Sequence, residues 1–323
     1  MEVFKYKKPI ALMSKTKRFG IISLVILIVS LGLLLTKGFN LGIDFAGGTI
    51  VQLKYDKKAP IDEVRKIIEA QAEYKSASVT FFGNENEILI RTKIKTKDLS
   101  QSIGDKFKKL LEPTGSFIIQ RDDTVSDKIG GQFAQQGFMA MLLAIIGILI
   151  YVSFRFEWRF AVASILALVH DITIAMGMIV LFNIEVNLDI LAALLTILGY
   201  SLNDTIIVFD RIREGINTIK DPKLEHIIDE SVTRTLSRTT LTSLTTFFVV
   251  LTLFVFGGAI IHGFSFTLLV GVVVGTYSSI FIASPILLWL GFSVSGYRLK
   301  EAEKLKREKE KEKMREMYEQ GTI

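Results

Sequence analysis

The sequence predicts a polytopic α-helical membrane protein with six transmembrane helices and one α+β domain outside the membrane. Half of the 323 residues are hydrophobic, and the mean hydropathy is +0.41, yet 22% of the residues are Asp, Glu, Lys or Arg. Such a high hydrophobic content and such a high charged content can occur together only if the charges are segregated from long apolar stretches. This composition, which includes no cysteine, excludes a disordered chain, a disulfide-rich secreted module and an ordinary soluble enzyme.

Six stretches are long and apolar enough to cross a membrane, which takes roughly 20 residues of helix. The first has no small-residue cleavage site and five more follow it, so we interpret it as a retained helix and not a signal peptide. The predicted spans are residues 19–35, 137–154, 160–182, 186–209, 239–256 and 264–290.

The distribution of Lys and Arg predicts the orientation. These residues cluster in segments 1–18, 155–159, 211–238 and 296–323, whereas the short loops 183–185 and 257–263 have none. Basic loops stay in the cytoplasm, so both termini are expected there. The chain then divides into an N-terminus with the first helix (1–36), an external domain (37–136), a five-helix membrane region (137–295) and a charged cytoplasmic tail (296–323). In such a chain a net charge of +6 indicates membrane lipid and not nucleic acid.

The external region is expected to fold as a small ferredoxin-like domain. Its pattern predicts strand, helix, hairpin, helix and strand, which is the βαββαβ order of the split βαβ unit. The tail alternates Lys or Arg with Glu and predicts a solvated helix at 298–318, with docking to a partner as the alternative. The elements predicted within the domain are strand 49–54, helix 61–71, a hairpin of 78–82 and 87–91 through Gly83-Asn84, helix 98–111 and strand 116–121.

Two carboxylates lie deep inside predicted spans. Asp171 is about halfway through the third span and Asp204 is well inside the fourth. An ionisable group at that depth costs a few kcal/mol, so it normally faces a cavity or a partner. Two polar stripes accompany them. They consist of Thr196, Tyr200 and Asp204 with Asn203 alongside in the fourth span, and of Arg238, Thr242, Thr245 and Thr246 in the fifth.

The hypothesis for these residues is that the two stripes meet, with Asp204 reaching Arg238 directly or through water. A guanidinium that moves towards and away from a buried carboxylate would switch it between proton-releasing and proton-accepting states. The alternatives are that Arg238 only anchors the helix at the interface and that Asp204 is a structural hydrogen-bond hub. For Asp171, beside His170, a structural role is as reasonable as a relay role.

Small residues recur every four positions in the sixth span, a pattern that lets another helix approach closely. Gly47-Gly48 favours a turn or a close backbone approach over phosphate binding. The sequence has no P-loop, HExxH, CxxC or GxSxG motif, which predicts no cofactor, no metal and no covalent chemistry. The small residues of the sixth span are Gly271, Gly275, Ser279 and Ala283.

Several motifs together resemble the SecF family, the smaller membrane subunits of the bacterial SecD–SecF translocation complex. The first motif contains Asp44, Phe45, Gly47 and Gly48. The two most specific motifs are GYSLNDT, which contains Asp204, and VFDRIRE, which follows it. The resemblance covers nearly the whole chain. It rests on FNLGIDFAGGT (39–49), FRFEWR (154–159), ALVHD (167–171), GYSLNDT (199–205), VFDRIRE (208–214) and Arg238-Thr239 before a threonine-rich span.

This resemblance implies half of an RND-type fold in the bacterial inner membrane, with six helices that pair with six of a SecD-like partner. It implies late, ATP-independent export of preproteins through SecYEG, driven by inward proton or sodium flow, with a YajC-like small membrane protein as a further partner. The family residues tied to ion flow match Asp204 and Arg238. The remaining candidates for the ion pathway are Asp171, Asn203, Tyr200 and Thr242. A SecD half is absent from these 323 residues, so the chain is expected to act together with a SecD-like partner and not in isolation.

Three alternative functions remain open on the sequence alone. An intramembrane aspartyl protease would use Asp171 and Asp204, but the Gly-x-Gly-Asp pattern of such enzymes is missing because Asn203 precedes Asp204. A structural scaffold would need neither ion flow nor the Asp204 charge. A small-molecule exporter of the same fold would be expected to contain both six-helix halves and larger external domains.

Overall fold

The computed structural model describes residues 9–75, 77–92 and 103–319. Its strands are β1 (Asn40–Leu41), β2 (Gly48–Tyr55), β3 (Ser78–Phe82), β4 (Asn84–Thr92), β5 (Phe117–Val125) and β6 (Glu185–Val186). Its helices are α1 (Thr16–Thr36), α2 (Ile43–Ala46), α3 (Ile61–Glu69), α4 (Ile103–Leu111), α5 (Asp127–Arg155), α6 (Trp158–Leu181), α7 (Leu188–Thr218), α8 (Leu224–Phe256), α9 (Gly258–Ser278), α10 (Ser284–Trp289) and α11 (Val294–Glu319).

Within the described residues, six helical segments are long and apolar enough to cross a membrane, as predicted. They are α1, α5, α6, α7, α8 and the continuous run of α9 and α10, which a π-helical turn at Ser279–Ala283 joins. The chain is therefore a multi-pass membrane protein, and the predicted fold class is confirmed.

Several helices extend beyond the apolar stretches that predict them. α5 begins at Asp127, with the Ser126 side chain accepting a hydrogen bond from Ile129 N, so it starts inside the segment assigned to the external domain. α7 runs on to Thr218 and α8 already begins at Leu224. Hydropathy marks only the apolar part of each helix, whereas the polar extensions of α7 and α8 are held by a buried stripe. That stripe contains Ile212, Ile216, Ile227 and Ile228.

The bundle is buried unevenly. In the apolar stretch of α6, 67% of the residues are buried, against 11% in each of α1, α5 and α8. α6 thus forms the centre of the bundle, and it packs closely on α1 where Gly177 faces Ser30. The outer helices present largely apolar surfaces, as expected for contact with lipid or with another membrane subunit.

The α+β domain is a four-stranded antiparallel sheet with strand order β3-β4-β2-β5. This order and the βαββαβ succession are consistent with the predicted ferredoxin-like arrangement. The observed strands are longer than predicted at β4 and β5, and residues 98–102 of the second predicted helix lie outside the described residues. α3 and α4 cover the sheet through an apolar core. Its members include Val51, Leu53, Val64, Ile68, Ile88, Ile90, Phe107 and Leu111.

Two contacts fix the α+β domain to one end of the bundle. β1 pairs in parallel with β6, which lies in the loop between α6 and α7. In addition, Arg91 Nη1 of β4 lies 2.9 Å from Glu185 Oε2 of the same loop. The domain is therefore attached both to the chain that enters it from α1 and to the connection between two central helices.

At the opposite end of the bundle, the segment before the first span and the segment after the last span are also bound to the helices. The backbone N–H groups of Leu12 and Met13 both donate to Asp229 Oδ1 of α8, at 2.8 Å each. Arg298 of α11 donates from Nε to the carbonyl of Ile216, 2.6 Å away, near the end of α7. Beyond this anchor, α11 continues as an exposed charged helix where a solvated helix is predicted.

Candidate functional site

Asp204 lines a small cavity between three helices of the bundle. Asp204 lies near the centre of α7, and its side chain is half-buried. The cavity has a volume of about 50 Å³ and lies between α7, α8 and α9. Its lining residues are Tyr200, Ser201, Asn203, Asp204, Thr242, Ser243, Thr246, Gly271, Val272, Gly275 and Thr276.

Two hydroxyl groups hold the Asp204 carboxylate. Ser243 Oγ of α8 lies 3.1 Å from Asp204 Oδ2, and Thr276 Oγ1 of α9 lies 3.4 Å from the same oxygen. Each hydroxyl also has a backbone acceptor on its own helix, Thr239 O at 2.9 Å and Val272 O at 2.8 Å. The hydroxyls can donate to Asp204 when it is charged and to the backbone when it is neutral. The surroundings of Asp204 can therefore accommodate both its charged and its neutral carboxyl group.

The small residues of α9 bring the helices together at this cavity. A side-chain carbon added at Gly271 would lie 2.2 Å from Ile197 Cγ1, and one at Gly275 would lie 3.1 Å from Ser201 Cβ. α7 therefore packs directly on the face of α9 that contains these glycines. Ser279 and Ala283 continue the sequence pattern into the π-helical turn, where both are fully buried.

Of the other predicted members of the two stripes, Tyr200, Asn203, Thr242 and Thr246 line the cavity, whereas Thr196, Thr245 and Arg238 do not. Tyr200 is 50% exposed, and Asn203 and Thr242 are also exposed, so the polar face opens on the outer surface of the bundle. Arg238 is exposed as well, and in the described part of the chain no hydrogen bond or ion pair joins it to Asp204.

Helix geometry explains why the direct contact is not formed. Arg238 precedes Ser243 by five residues, which places it about 7.5 Å away along α8 and turned by about 140°. Because Ser243 is the residue that meets Asp204, Arg238 faces a different direction.

Asp171 lies outside the cavity, in the interior of the bundle. Its carboxylate is fully buried, and its Oδ2 accepts a hydrogen bond of 2.5 Å from Ser201 Oγ. Ser201 also lines the Asp204 cavity. The sequence patterns did not single out Ser201, Ser243 or Thr276, because a hydroxyl residue in a helix is common and only the packing of three helices shows which ones meet a carboxylate.

The glycine motif after α1 forms a tight backbone junction. Asp44 Oδ2 accepts a hydrogen bond from Leu188 N at the start of α7, 3.0 Å away. Gly47 and Gly48 have φ values of 72° and 138°, which favour glycine. Gly130 of α5 packs directly on the backbone of Phe45 and Gly47. The motif therefore connects α1, α5 and α7 beneath the α+β domain.

Two adjacent glycines of α5 allow a sharp test of this junction. A side-chain carbon at Gly130 would lie 2.9 Å from Phe45 O and 3.0 Å from Gly47 N, and these backbone atoms cannot rotate away. We expect Gly130→Ala to lower the free energy of unfolding by about 1–3 kcal/mol. Gly131→Ala, which meets nothing within 4 Å, should raise it by about 1 kcal/mol through helix propensity. Equal effects of the two substitutions in detergent-based unfolding would contradict the close contact between α5 and the glycine motif.

A half-buried carboxylate in the middle of membrane-spanning helices is typical of proteins that move ions or substrates across a membrane. Comparison with known proteins agrees with this class. Residues 106–293 match the family model described as "Protein export membrane protein SecD/SecF, C-terminal", and residues 32–59 match the "SecD/SecF GG Motif". The chain belongs to the SecD/SecF family of protein-export membrane proteins, and within that family to the SecF translocase subunits.

Individual relatives show how far the similarity extends. The chain is 47% identical to the protein translocase subunit SecF of Helicobacter pylori over the full length of both chains. It is 41% identical to SecF of Vibrio alginolyticus over 90% of this chain and 92% of that one. The crystal structure of SecDF, a translocon-associated membrane protein from Thermus thermophilus, matches with a TM-score of 0.79 and 34% identity. This chain spans 39% of that SecDF chain, and the match covers 88% of this one.

Proposed function

We propose that this chain works with a SecD-like partner to couple inward proton or sodium flow to movement of the α+β domain. This movement would promote the late, ATP-independent translocation of preproteins through a SecYEG channel. The observation that carries the proposal is the position of Asp204, which is half-buried inside a membrane-spanning helix and held by two hydroxyls with alternative acceptors.

The energy available from ion flow is sufficient for such a cycle. One proton that crosses the membrane releases about 2.3 kcal/mol per 100 mV. That free energy shifts a two-state equilibrium roughly fifty-fold. Protonation of Asp204 would change which acceptors Ser243 and Thr276 use, and this would alter the packing of α8 and α9 on α7.

The SecD-like partner is proposed from the open polar face. Tyr200, Asn203 and Thr242 are exposed on the surface of the bundle. Polar groups at this depth would be costly against lipid, which favours a protein neighbour on this face. With the partner in place, a shift of α8 would bring Arg238 into the pathway, where it would bind and release the Asp204 carboxylate in turn.

The proposed setting is the bacterial inner membrane, with both termini in the cytoplasm and the α+β domain on the outer side. This orientation follows from the clustering of Lys and Arg at the end of the bundle opposite the domain. A YajC-like small membrane protein and membrane lipid are the further partners. The chain acts without a cofactor of its own and without covalent chemistry.

The proposal is tested by ion flux and preprotein export in vesicles that contain this chain, its SecD-like partner and a SecYEG channel. Asp204→Asn preserves the size of the side chain and its acceptor oxygen but cannot titrate, so we expect flux and gradient-driven export to fall roughly a hundred-fold. Asp189→Asn, at an exposed carboxylate at the start of the same helix, serves as the matched control and should leave both unchanged. Separate proton and sodium gradients identify the ion.

Normal flux in correctly assembled Asp204→Asn vesicles would overturn the proposal. Export that requires the chain but neither the gradient nor Asp204 would instead indicate a scaffold that holds other subunits together.

A further inference from the structure

A second buried polar cluster lies behind the Asp204 cavity, centred on Asp171 of α6. Asp171 has no exposed surface, and neighbouring His170 is 5% exposed. His170 Nδ1 lies 2.8 Å from Asp171 Oδ1. The other carboxylate oxygen, Oδ2, accepts hydrogen bonds from Ser201 Oγ of α7 at 2.5 Å and from Ser278 Oγ of α9 at 2.6 Å. Three central helices therefore meet at one carboxylate.

The hydrogen bonding of this cluster is incomplete at one atom. His170 Nε2 is buried and has no hydrogen-bond partner among the described residues. A buried polar atom without a partner costs about 1–3 kcal/mol, so a histidine that serves only packing is expected to have both ring nitrogens bonded. The imidazole and carboxylate together can hold a proton without net charge, because an Asp⁻–HisH⁺ pair and an AspH–His pair are both neutral.

Ser201 belongs to both sites. Its hydroxyl contacts Asp171 Oδ2, and it lines the Asp204 cavity one helical turn before Asp204 on α7. The cavity of about 50 Å³ is large enough for water, which needs at least about 15 Å³. Ser278 contacts the same oxygen of Asp171, but it is not among the residues that line the cavity.

We propose that Asp171 and His170 form a second proton-holding site, reached from the Asp204 cavity through the hydroxyl of Ser201. In the transfer, water in the cavity takes the proton of the Asp204 carboxylic acid and passes one to Ser201 Oγ. Ser201 releases its original hydroxyl proton to Asp171 Oδ2. The serine is unchanged at the end, Asp204 has lost one proton, and the Asp171–His170 pair has gained one.

The groups that face this pair from the neighbouring helices are uncharged or belong to the same pathway. The ring of Tyr277 of α9 stacks on His170, with 6.5 Å between the ring centroids. The Tyr277 hydroxyl lies 2.7 Å from Ser23 Oγ of α1. From α7, the titratable group on the far side of Ser201 is Asp204. Proton exchange at Asp171 should therefore depend on Ser201 and on the state of Asp204.

A matched pair of substitutions separates a relay from a structural hub. Ser201→Ala and Ser278→Ala each remove one hydrogen bond to the same oxygen of Asp171, so a purely structural role predicts similar effects. The relay predicts that only Ser201→Ala disconnects the two sites. Infrared spectroscopy of the full chain with its partner, after transfer to heavy water, follows the exchange of the Asp171 carboxyl proton. The Asp171 band is identified by its loss in Asp171→Asn.

We expect Ser201→Ala to slow this exchange roughly tenfold or more, and Ser278→Ala to change it less than about twofold. His170→Asn keeps a donor near the Nδ1 position but cannot titrate, and it should shift the pH at which the Asp171 band appears. Equal slowing by the two serine variants, or a band that does not respond to His170→Asn, would overturn the inference.

The inference rests on the proposed ion coupling, but its failure can be distinguished from failure of that proposal. If Asp204→Asn abolishes ion flux while Ser201→Ala leaves both flux and Asp171 exchange unchanged, only the second site is wrong. If Asp204→Asn leaves flux unchanged, the coupling proposal fails whatever the exchange at Asp171 shows.

Discussion

Replacing Gly177 by alanine is expected to destabilise the bundle strongly, because the added methyl group forces α1 away from the central helix α6. A side-chain carbon at this position of α6 would lie 2.3 Å from Ser30 Oγ and 2.8 Å from Ser30 Cα. Since a backbone carbon is involved, rotation of the serine cannot relieve the overlap, and α1 must move away from α6. We expect the free energy of unfolding to fall by about 3 kcal/mol, at the upper end of the cost of overpacking.

The control for this substitution is Gly32→Ala on α1, two residues from Ser30. A side-chain carbon at Gly32 meets nothing within 4 Å, so the change should be neutral or stabilise the helix by up to about 1 kcal/mol. Denaturant titration in mixed micelles measures both variants. If Gly177→Ala is as stable as the unsubstituted protein, the close approach of α1 and α6 is wrong.

Asp229→Ala is expected to release the segment before α1 from the rest of the bundle. Asp229 Oδ1 accepts hydrogen bonds from Leu12 N and Met13 N, and all three residues are buried. Alanine leaves Met13 N without an acceptor, whereas Leu12 N keeps the carbonyl of Ile10 at 2.8 Å. A buried N–H group without a partner costs about 1–3 kcal/mol. We expect the free energy of unfolding to fall by about 1–3 kcal/mol, together with faster hydrogen exchange at Met13.

Two controls separate this anchor from a general effect of charge on α8. Asp229→Asn keeps an acceptor oxygen and should cost less than Asp229→Ala. Glu230→Ala removes the neighbouring carboxylate, whose ion pair with Arg234 is partly exposed. An exposed pair of this kind contributes at most about 1 kcal/mol. Equal losses in Asp229→Ala and Glu230→Ala would rule out the anchoring role of Asp229.

Hydropathy and turn patterns were sufficient to predict the architecture but not the ends of the helices. The six spans and the order of elements in the α+β domain follow from local composition, because a membrane requires long apolar helices and a sheet requires alternation. The extension of α8 back to Leu224 depends instead on tertiary contacts. Asp229 holds the chain before α1 there, and Ile227 packs in the core. Such contacts join residues more than 200 positions apart, for example Leu12 and Asp229.

The candidate site, like the helix ends, could be predicted from the sequence only in part, because side-chain contacts also depend on tertiary packing. Depth in the membrane was enough to single out Asp204 and Asp171, because a carboxylate there is costly wherever it points. The relative rotation of α7, α8 and α9 decides which residues meet Asp204, and a single sequence does not contain it. The pairing of Asp204 with Ser243 instead of Arg238 is a consequence of that rotation.

The parallel pairing of β1 with β6 has a consequence for how the chain is made. Asp44 beside β1 and Leu188 after β6 are 144 residues apart, and they are joined by a hydrogen bond. At about 5–20 residues per second, the second partner leaves the ribosome roughly 7 to 30 s after the first. β2 to β5 all precede α5, so the sheet of the α+β domain can form within that interval. The domain is thus expected to fold first and to become fixed to the bundle only after the turn between α6 and α7 has been synthesised.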